Sequence, residues 1–449
     1  MAAYPGDQDG GQARASARIQ RSITDKRDGR ELPEAEISGV VADFVAGLVP
    51  DYQMSAWLAT VACRGLTIAE TAALTSAYVA GGERLDLRRL DRTVLDKHST
   101  GGVGDKVSLI VVPIVAACGV AVVKMSGRGL GHAGGTIDKL ESITGLRLDL
   151  TPDEVYATVA KAGMVITGQS AALAPGDGAT YALRDVTGTV ESVPLIAASI
   201  ISKKVAVGAH GLVLDVKTGA GALLPDRGLA TELARTMVEL ATMSGLRCRA
   251  VLSDMSQPLG HAVGNALELI EALAVLRGDY VPRVTELCVA LCRLLLQSAE
   301  PGLTGEEADL RIAAVLSSGA AHEQFVRWTD AQGGDARMIE DPSLLPHAPR
   351  TETITAGRAG WVRAVDPRAI GHAALRIGAG RLAHGAAIDP GAGVRVACHV
   401  GAKVDAGDRL AELYYTSGDI AAATDLARSA FVIGEEQPAE PPLIHQIFT

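Results

Sequence analysis

The spacing of apolar and polar positions changes character four times along the chain. From residue 17 to about 80 apolar side chains recur at helical intervals, as in EAEISGVVADFVAGL and MSAWLATVACRGL, which predicts amphipathic helices. Thr67 with Glu70 three residues later predicts a capping box at the head of a further helix, TIAETAALTSAYVAGG, which Gly81-Gly82 ends. Residues 1–16 are polar and rich in Gly and Ala, and read as a disordered leader.

Near residue 93 the pattern becomes strand–helix alternation. TVLDKHS, AVVKMSG and MVITG read as strands; VSLIVVPIVAACG reads as a buried helix, and PDEVYATVAKAG as a helix opened by Thr151. Alternation of this kind indicates an α/β sheet that is largely parallel. Residues 175–207 revert to helical spacing with no clear strand, which predicts a return of the chain to the helical domain. GLVLDVKTGAGAL and RCRAVLSDM then read as strands, and RGLATELARTMVELATMSG, HAVGNALELIEALAVLRG and VTELCVALCRLLLQS as helices. After about residue 350 short strands alternate with turns. CHVGAKVDAGDRLAEL there resembles the hairpins of biotinyl and lipoyl domains but lacks, at the hairpin tip, the lysine that those domains modify, so no carrier function is assigned. The fold class is α/β: a helical domain (17–80 and 176–207), a larger mixed α/β domain (81–175 and 208–349) and a C-terminal, strand-rich α+β domain (350–449).

Composition narrows the function. Hydrophobic residues make up 48% of the 449 and aromatics only 3%, so the core must be mostly aliphatic. The net charge of −10 argues against a non-specific nucleic-acid binder, which would carry a basic face; a local basic pocket for a small anion stays open. The N-terminus has no apolar signal core, and no apolar run reaches ~18–20 residues, so neither secretion nor a membrane span is expected and the cytoplasm is the default location. The six cysteines contain no CxxC; Cys288 and Cys292, four apart in an apolar helix, read as small core residues.

Three segments carry candidate chemistry. Asp96-Lys97-His98-Ser99-Thr100-Gly101-Gly102-Val103-Gly104-Asp105 joins a strand to a helix. Its glycines let backbone N–H groups converge on a ligand, Lys97 and two hydroxyls add to them, and the helix directs its positive end at the loop, which makes an anion site. It is not a Walker A loop, and the plainer alternative is a Gly-rich turn with a solvated lysine. Ser126-Gly127-Arg128-Gly129-Leu130-Gly131-His132-Ala133-Gly134-Gly135-Thr136 is a second strand-to-helix loop. It contains a literal GxGxxG, with Asp149 where a dinucleotide fold would place its ribose carboxylate, so a dinucleotide site competes with a phosphate site. In the third, Ser199 and Lys203 lie four apart and share a helix face, and Arg184 precedes them in YALRD. That set could present a hydroxyl and two cations to one planar polar ligand; an exposed Arg184–Asp185 pair and a solvated lysine are the ordinary alternative.

Together these segments resemble the thymidine and pyrimidine-nucleoside phosphorylases. SGRGLGHAGGTIDKLE matches that family's signature, DKHSTGGVGD its phosphate loop, and YALRD with SIISKK its base-binding helices; the resemblance runs from KRDGREL at 26–32 to the C-terminal domain. It implies phosphorolysis of a pyrimidine nucleoside by a pentosyltransferase with two domains across a cleft. It assigns phosphate to Lys97, Ser99, Ser108, Ser126 and Thr136, the pyrimidine to Arg184, Ser199 and Lys203, and a place near base and sugar to His98. Of these, His98, Arg184 and Lys203 are the implied catalytic groups. Leu130 and Ile196 are candidates for packing against the base, with ordinary core burial an equal alternative. No organic cofactor and no metal are expected, since inorganic phosphate is itself a substrate, and a homodimer is implied.

Some similar Bacillus-type enzymes bind potassium near the phosphate loop, at positions matching Gly104, Lys106, Leu259, Ala262 and Glu271. Those enzymes carry threonine where this chain has Lys106, so the expectation is a lysine ammonium against Glu271 and no potassium requirement. Three other readings compete: an anthranilate phosphoribosyltransferase-like enzyme, an NAD-binding oxidoreductase, and a non-catalytic binding protein. The complete set of polar residues matching the family argues for retained chemistry.

Overall fold

A computed structural model describes residues 6–129, 134–168, 173–381 and 386–449. The chain forms two compact units, one of residues 1–87, 170–209 and 231–248, the other of 88–169, 210–230 and 249–449. The first unit opens with α1 (Gly6–Arg27), α2 (Glu34–Val45), α3 (Asp51–Arg64) and α4 (Ile68–Val79). Thr67 and Glu70 form the expected capping box, with Glu70 N–H donating to Thr67 Oγ1 and Thr67 N–H to Glu70 Oε2.

In the second unit follow β1 (Val94–Ser99), α5 (Val107–Ala117), β2 (Ala121–Ser126), α6 (Thr136–Leu140), α7 (Pro152–Ala162) and β3 (Met164–Gly168). Two helices, α8 (Pro175–Thr187) and α9 (Val193–Val207), then return to the first unit. They do so because the helical core is incomplete without them: Leu195 and Ala198 of α9 join Ile37, Val40, Trp57, Leu58, Leu74 and Tyr78 in one buried cluster.

The chain continues through β4 (Gly211–Thr218), α10 (Arg227–Met243), β5 (Arg247–Asp254), β6 (Ala262–Gly264), α11 (Asn265–Leu276), α12 (Val284–Ala299), α13 (Gly305–Ser317), α14 (Ala320–Ala331) and α15 (Arg337–Glu340). The C-terminal part adds β7 (Arg350–Thr355), β8 (Gly360–Val365), α16 (Pro367–Arg376), β9 (Gly393–Val396), β10 (Lys403–Val404), β11 (Arg409–Tyr415), α17 (Ile420–Ser429), β12 (Phe431–Gly434) and β13 (Ile444–Phe448). A six-stranded sheet in the order β13-β5-β4-β1-β2-β3 organises the second unit. Strand β1 runs parallel to β2 and β4, and β2 to β3, whereas β13 is antiparallel to β5. Every residue of β4 is buried, as a central strand covered on both faces requires.

Four expectations need correction. The segment read as a leader is helical from Gly6, because Ala15 and Ile19 are buried and Ser16 and Ser22 accept hydrogen bonds from Gln53 and Trp57 of α3. HAVGNALELIEALAVLRG is not helical throughout: Ala262–Gly264 pair antiparallel with β9 before α11 begins. That pairing also crosses the boundary expected at residue 350. The C-terminal region shares a four-stranded sheet, β6-β9-β11-β7, with the α/β part, and its core takes in Val103 and Val263. Residues 231–248, expected in the α/β domain, group with the helical unit. Among the described residues no helix is long and apolar enough to cross a membrane.

Glu70 is also the tie of the helical unit. Its buried carboxylate accepts from Lys26 Nζ at 2.8 and 2.7 Å and from the Leu32 N–H at 2.7 Å. Glu70→Ala should therefore cost about 3–5 kcal/mol, the usual result of stranding one member of a buried pair. Chemical denaturation measures this, and an unchanged midpoint would refute the role given to Glu70.

Candidate active site

The first glycine loop leaves the C-terminal end of β1, where ligands of parallel sheets bind. Lys97 is fully buried on β1, and its ammonium donates to Ser108 Oγ, in the first turn of α5, at 3.3 Å. The parallel register pairs Val94 with Ala121 and Leu95 with Val122, and Ser99 and Ser126 are the last residues of these two neighbouring strands. Residue 135 packs so tightly on residues 127–129 that a Cβ on Gly135 would meet Gly129 N at 2.2 Å, which brings Thr136 to the same edge. The five expected phosphate residues thus all belong to one rim of the sheet. His98 is half-buried on β1.

Charges that the sequence reading passed over lie beneath this rim. Lys217 on β4 is buried with its ammonium 2.7 Å from Asp215 Oδ2, and Lys97 Nζ is 3.8 Å from the same oxygen. Asp105 accepts from Ser99 Oγ at 2.5 Å and from the Val107 N–H at 3.2 Å. Burial works against ionisation of Asp105, but Lys217, Lys97 and Lys139 outweigh it and hold the carboxyl well below its usual range. Lys139 of α6 donates to Asp105 O at 2.6 Å and lies 2.6 Å from Glu268 of α11. The signal for Asp215 and Lys217 was present: two charges at alternate positions in an otherwise apolar strand, VLDVKT.

Lys106 occupies the place expected of it. Its ammonium donates to Leu259 O at 2.8 Å, to Ala262 O at 2.9 Å and to the Glu271 carboxylate. Gly104 lies against the same carbonyls at φ +78°, and a Cβ there would meet Leu259 O at 2.6 Å. Glu271 also accepts the N–H groups of His261 and Ala262. A cation with two carbonyl ligands and a carboxylate is what this cage holds, and the protein supplies that cation from its own side chain.

The second glycine loop is described only in part; Leu130, Gly131 and His132 lie outside the described residues. Asp138 Oδ2 accepts the N–H groups of Gly129 at 2.6 Å and Gly135 at 3.2 Å, while Oδ1 accepts from Arg381 at 2.5 Å. The dinucleotide reading needs free loop N–H groups and a helix to present them. Here the carboxylate already takes two of those groups, α6 is five residues long and Asp149 is exposed.

The expected pyrimidine residues lie on α8 and α9. Lys203 Nζ donates to Ser199 Oγ at 3.0 Å and to Asp177 Oδ2 at 2.6 Å. Arg184 does not make the exposed pair with Asp185 that was its ordinary alternative. It is buried, and three of its five N–H groups go to the carbonyls of Thr189, Val190 and Leu195. These bonds fix the turn between α8 and α9. The Tyr181 ring lies under both cations, 5.6 Å from the Arg184 guanidinium carbon and 5.9 Å from Lys203 Nζ. Asp177 and Tyr181 were not among the expected residues. Ile196 is buried on α9.

Residues 91–322 match the a/b domain of a glycosyl transferase family, residues 20–82 its helical bundle domain, and residues 361–434 the pyrimidine nucleoside phosphorylase C-terminal domain. The chain is 47% identical over 426 residues to a thymidine phosphorylase of Mycobacterium tuberculosis, covering 94% of this chain and 96% of that one. It is 45% identical over 392 residues to a pyrimidine-nucleoside phosphorylase of Geobacillus stearothermophilus, covering 87% and 90%. The chain belongs to the pyrimidine-nucleoside phosphorylase family. The resemblance read from the three segments is therefore borne out. Anthranilate phosphoribosyltransferase from Thermus thermophilus superposes with a TM-score of 0.56 over 69% of this chain and 99% of that one, at 20% identity, which shows a shared fold alone.

The Lys106–Glu271 pair gives this member of the pyrimidine-nucleoside phosphorylase family a testable acid sensitivity. Burial disfavours the Glu271 charge, yet Lys106 and the two N–H groups hold the carboxyl below its ordinary value. The stabilisation is fully present above about pH 4.3 and drains as pH falls towards the depressed native value, because the unfolded chain binds the proton first. Denaturation midpoints measured across that window should fall less steeply with acid in Lys106→Met than in the parent. Equal slopes would show that the pair does not set the response.

Proposed function

We propose that the protein catalyses reversible phosphorolysis of thymidine, and of deoxyuridine or uridine to an extent still to be measured, giving the free pyrimidine and a (deoxy)ribose 1-phosphate. The observation that carries this reading is the Lys203–Ser199 pair beside Arg184, a cationic set suited to a pyrimidine that leaves as an anion. In the proposed reaction a phosphate oxygen attacks C1′ from the face opposite the base. The C1′–N1 bond breaks, and its electron pair passes to the pyrimidine. Lys97, Ser99, Ser108, Ser126 and Thr136 hold the phosphate. Lys203 and Arg184 stabilise the charge that develops on the base, and Ser199 orients the ring; aimed charge of this kind is commonly the largest catalytic term. His98 either shares a proton with the leaving base or only orients the substrate by a hydrogen bond.

Inversion at C1′ gives the α-configured sugar phosphate. The reaction needs no organic cofactor and no metal. A homodimer working in the cytoplasm on nucleoside salvage, with neither nucleic acid nor membrane as partner, completes the proposal. Broad specificity for pyrimidine nucleosides is the second reading, favoured by similar identity to relatives bearing either name.

The deciding assay incubates the protein with thymidine, deoxyuridine and uridine, with and without phosphate, and quantifies the base released. Phosphate-dependent thymine release is the expected result, and the uridine arm sets the specificity. A folded sample that releases no pyrimidine from any of the three refutes the proposal. Because Lys106 supplies the charge at the carbonyl cage, exchanging sodium for potassium should leave turnover unchanged, whereas Lys106→Thr should make it respond to potassium. A large gain for the parent protein would overturn this.

A further inference from the structure

Lys203 is a point charge on a flexible four-carbon stem, and a lysine of that kind is poorly aimed unless something fixes it. The helical unit supplies the fixture. Asp177 lies in the first turn of α8, buried, with Oδ2 2.6 Å from Lys203 Nζ. Its other oxygen, Oδ1, is buried with no hydrogen-bond partner.

The backbone beneath Asp177 cannot drift. A Cβ on Gly176 would stand 2.9 Å from Val41 Cγ1 and 3.0 Å from Tyr78 Cα, so the head of α8 is pressed directly on α2 and α4. Thr180 Oγ1 donates to the carbonyls of Gly176 at 2.9 Å and Asp177 at 3.2 Å. The Tyr78 hydroxyl is pushed up to about 12 by burial first and by the Asp177 charge second, which places that negative charge close to it. Across from Asp177, Ser199 takes a second N–H of the Lys203 ammonium at 3.0 Å. Two of three N–H directions are thereby set, and the third points where neither partner is.

We propose that Asp177 is a positioning residue for Lys203, clamping its ammonium between α8 and α9 so that the remaining N–H meets the leaving pyrimidine. This rests on the phosphorolysis reading above. Before the glycosidic bond breaks, Asp177 and Lys203 form a neutral pair. As the base takes up the electron pair, Lys203 stands between two anions without having moved. A group already in place when charge develops needs no reorganisation at that moment.

The test is a double-mutant cycle of Asp177→Asn with Lys203→Met, assayed on thymidine with phosphate varied. In the parent background, Asp177→Asn should lower kcat about 10–100-fold, the usual loss when the partner that orients a functional group is removed, with KM for phosphate unchanged. In the Lys203→Met background the same change should cost nothing or restore activity, because the unpaired Asp177 carboxylate then repels the leaving base. An equal loss in both backgrounds, or none in the parent, overturns the proposal. Should Asp177→Asn fail to accumulate as folded protein, Asp177→Glu carries the same cycle; it keeps the charge but displaces it by one methylene, and equal losses in both backgrounds again overturn the idea. An inactive parent protein would instead sink the phosphorolysis reading on which the cycle depends.

Discussion

Ammonium groups taken out of water must meet a negative charge or a ring of carbonyls, and the glycine-loop edge of the second unit is assembled around four that do so. Lys97, Lys106, Lys139 and Lys217 are all buried. For three of them the partner lies on a different stretch of chain or on the neighbouring strand: Asp215 for Lys97, Glu271 for Lys106, Glu268 for Lys139. Lys217 alone takes its partner from its own strand. Such pairs add little net stability, but losing one member is expensive. They therefore act as constraints. Two of the carboxylates belong to α11, so one helix braces the loop after β1 and the loop after β2 together. Asn265 at the head of that helix donates to Ala379 O, and Arg381 reaches Asp138, so the C-terminal region is pinned to the same frame.

The helical unit applies the same physics with a different balance. Arg184 spends three donors on backbone carbonyls, which makes it a brace for the α8–α9 turn as well as a positive charge. Lys203 keeps its side chain about a fifth exposed and satisfies itself with one carboxylate and one hydroxyl. An arginine locked at several points and a lysine held at two differ in how far each can follow a ligand.

What the sequence disclosed was mostly local. The Thr67–Glu70 capping box, the helix start at Thr151 and the strand at Val94–Ser99 depend on near neighbours, and their residue patterns state them directly. The short strand Ala262–Gly264 was illegible because its partner lies about 130 residues away, and three residues carry no period of their own. Helix α16 was overlooked although Asp366 and Pro367 mark its start; its Gly and Ala content hid an apolar face. At the candidate site, residue identities were legible from the motifs. The counter-charges Asp177, Asp215 and Glu268 were not singled out, since only the fold brings each beside its lysine. The Lys106–Glu271 pair is the exception, and there the matched positions, not the spacing, suggested it.

The helical unit is drawn from stretches far apart in the chain, and this bears on how the protein is made. A chain emerging from the ribosome presents α1 to α4 early, including the Lys26–Glu70 tie, but Leu195 and Ala198, which close their core, follow more than a hundred residues later. Between them the β1–β3 segment must be synthesised and kept from pairing wrongly. Until then four helices expose the apolar face that α9 will cover, and β1 lacks β4, its central neighbour in the sheet. The helical unit is complete in the chain by residue 248, whereas the sheet of the second unit still awaits β13 at Ile444–Phe448, so partly built species prone to aggregate persist late into synthesis.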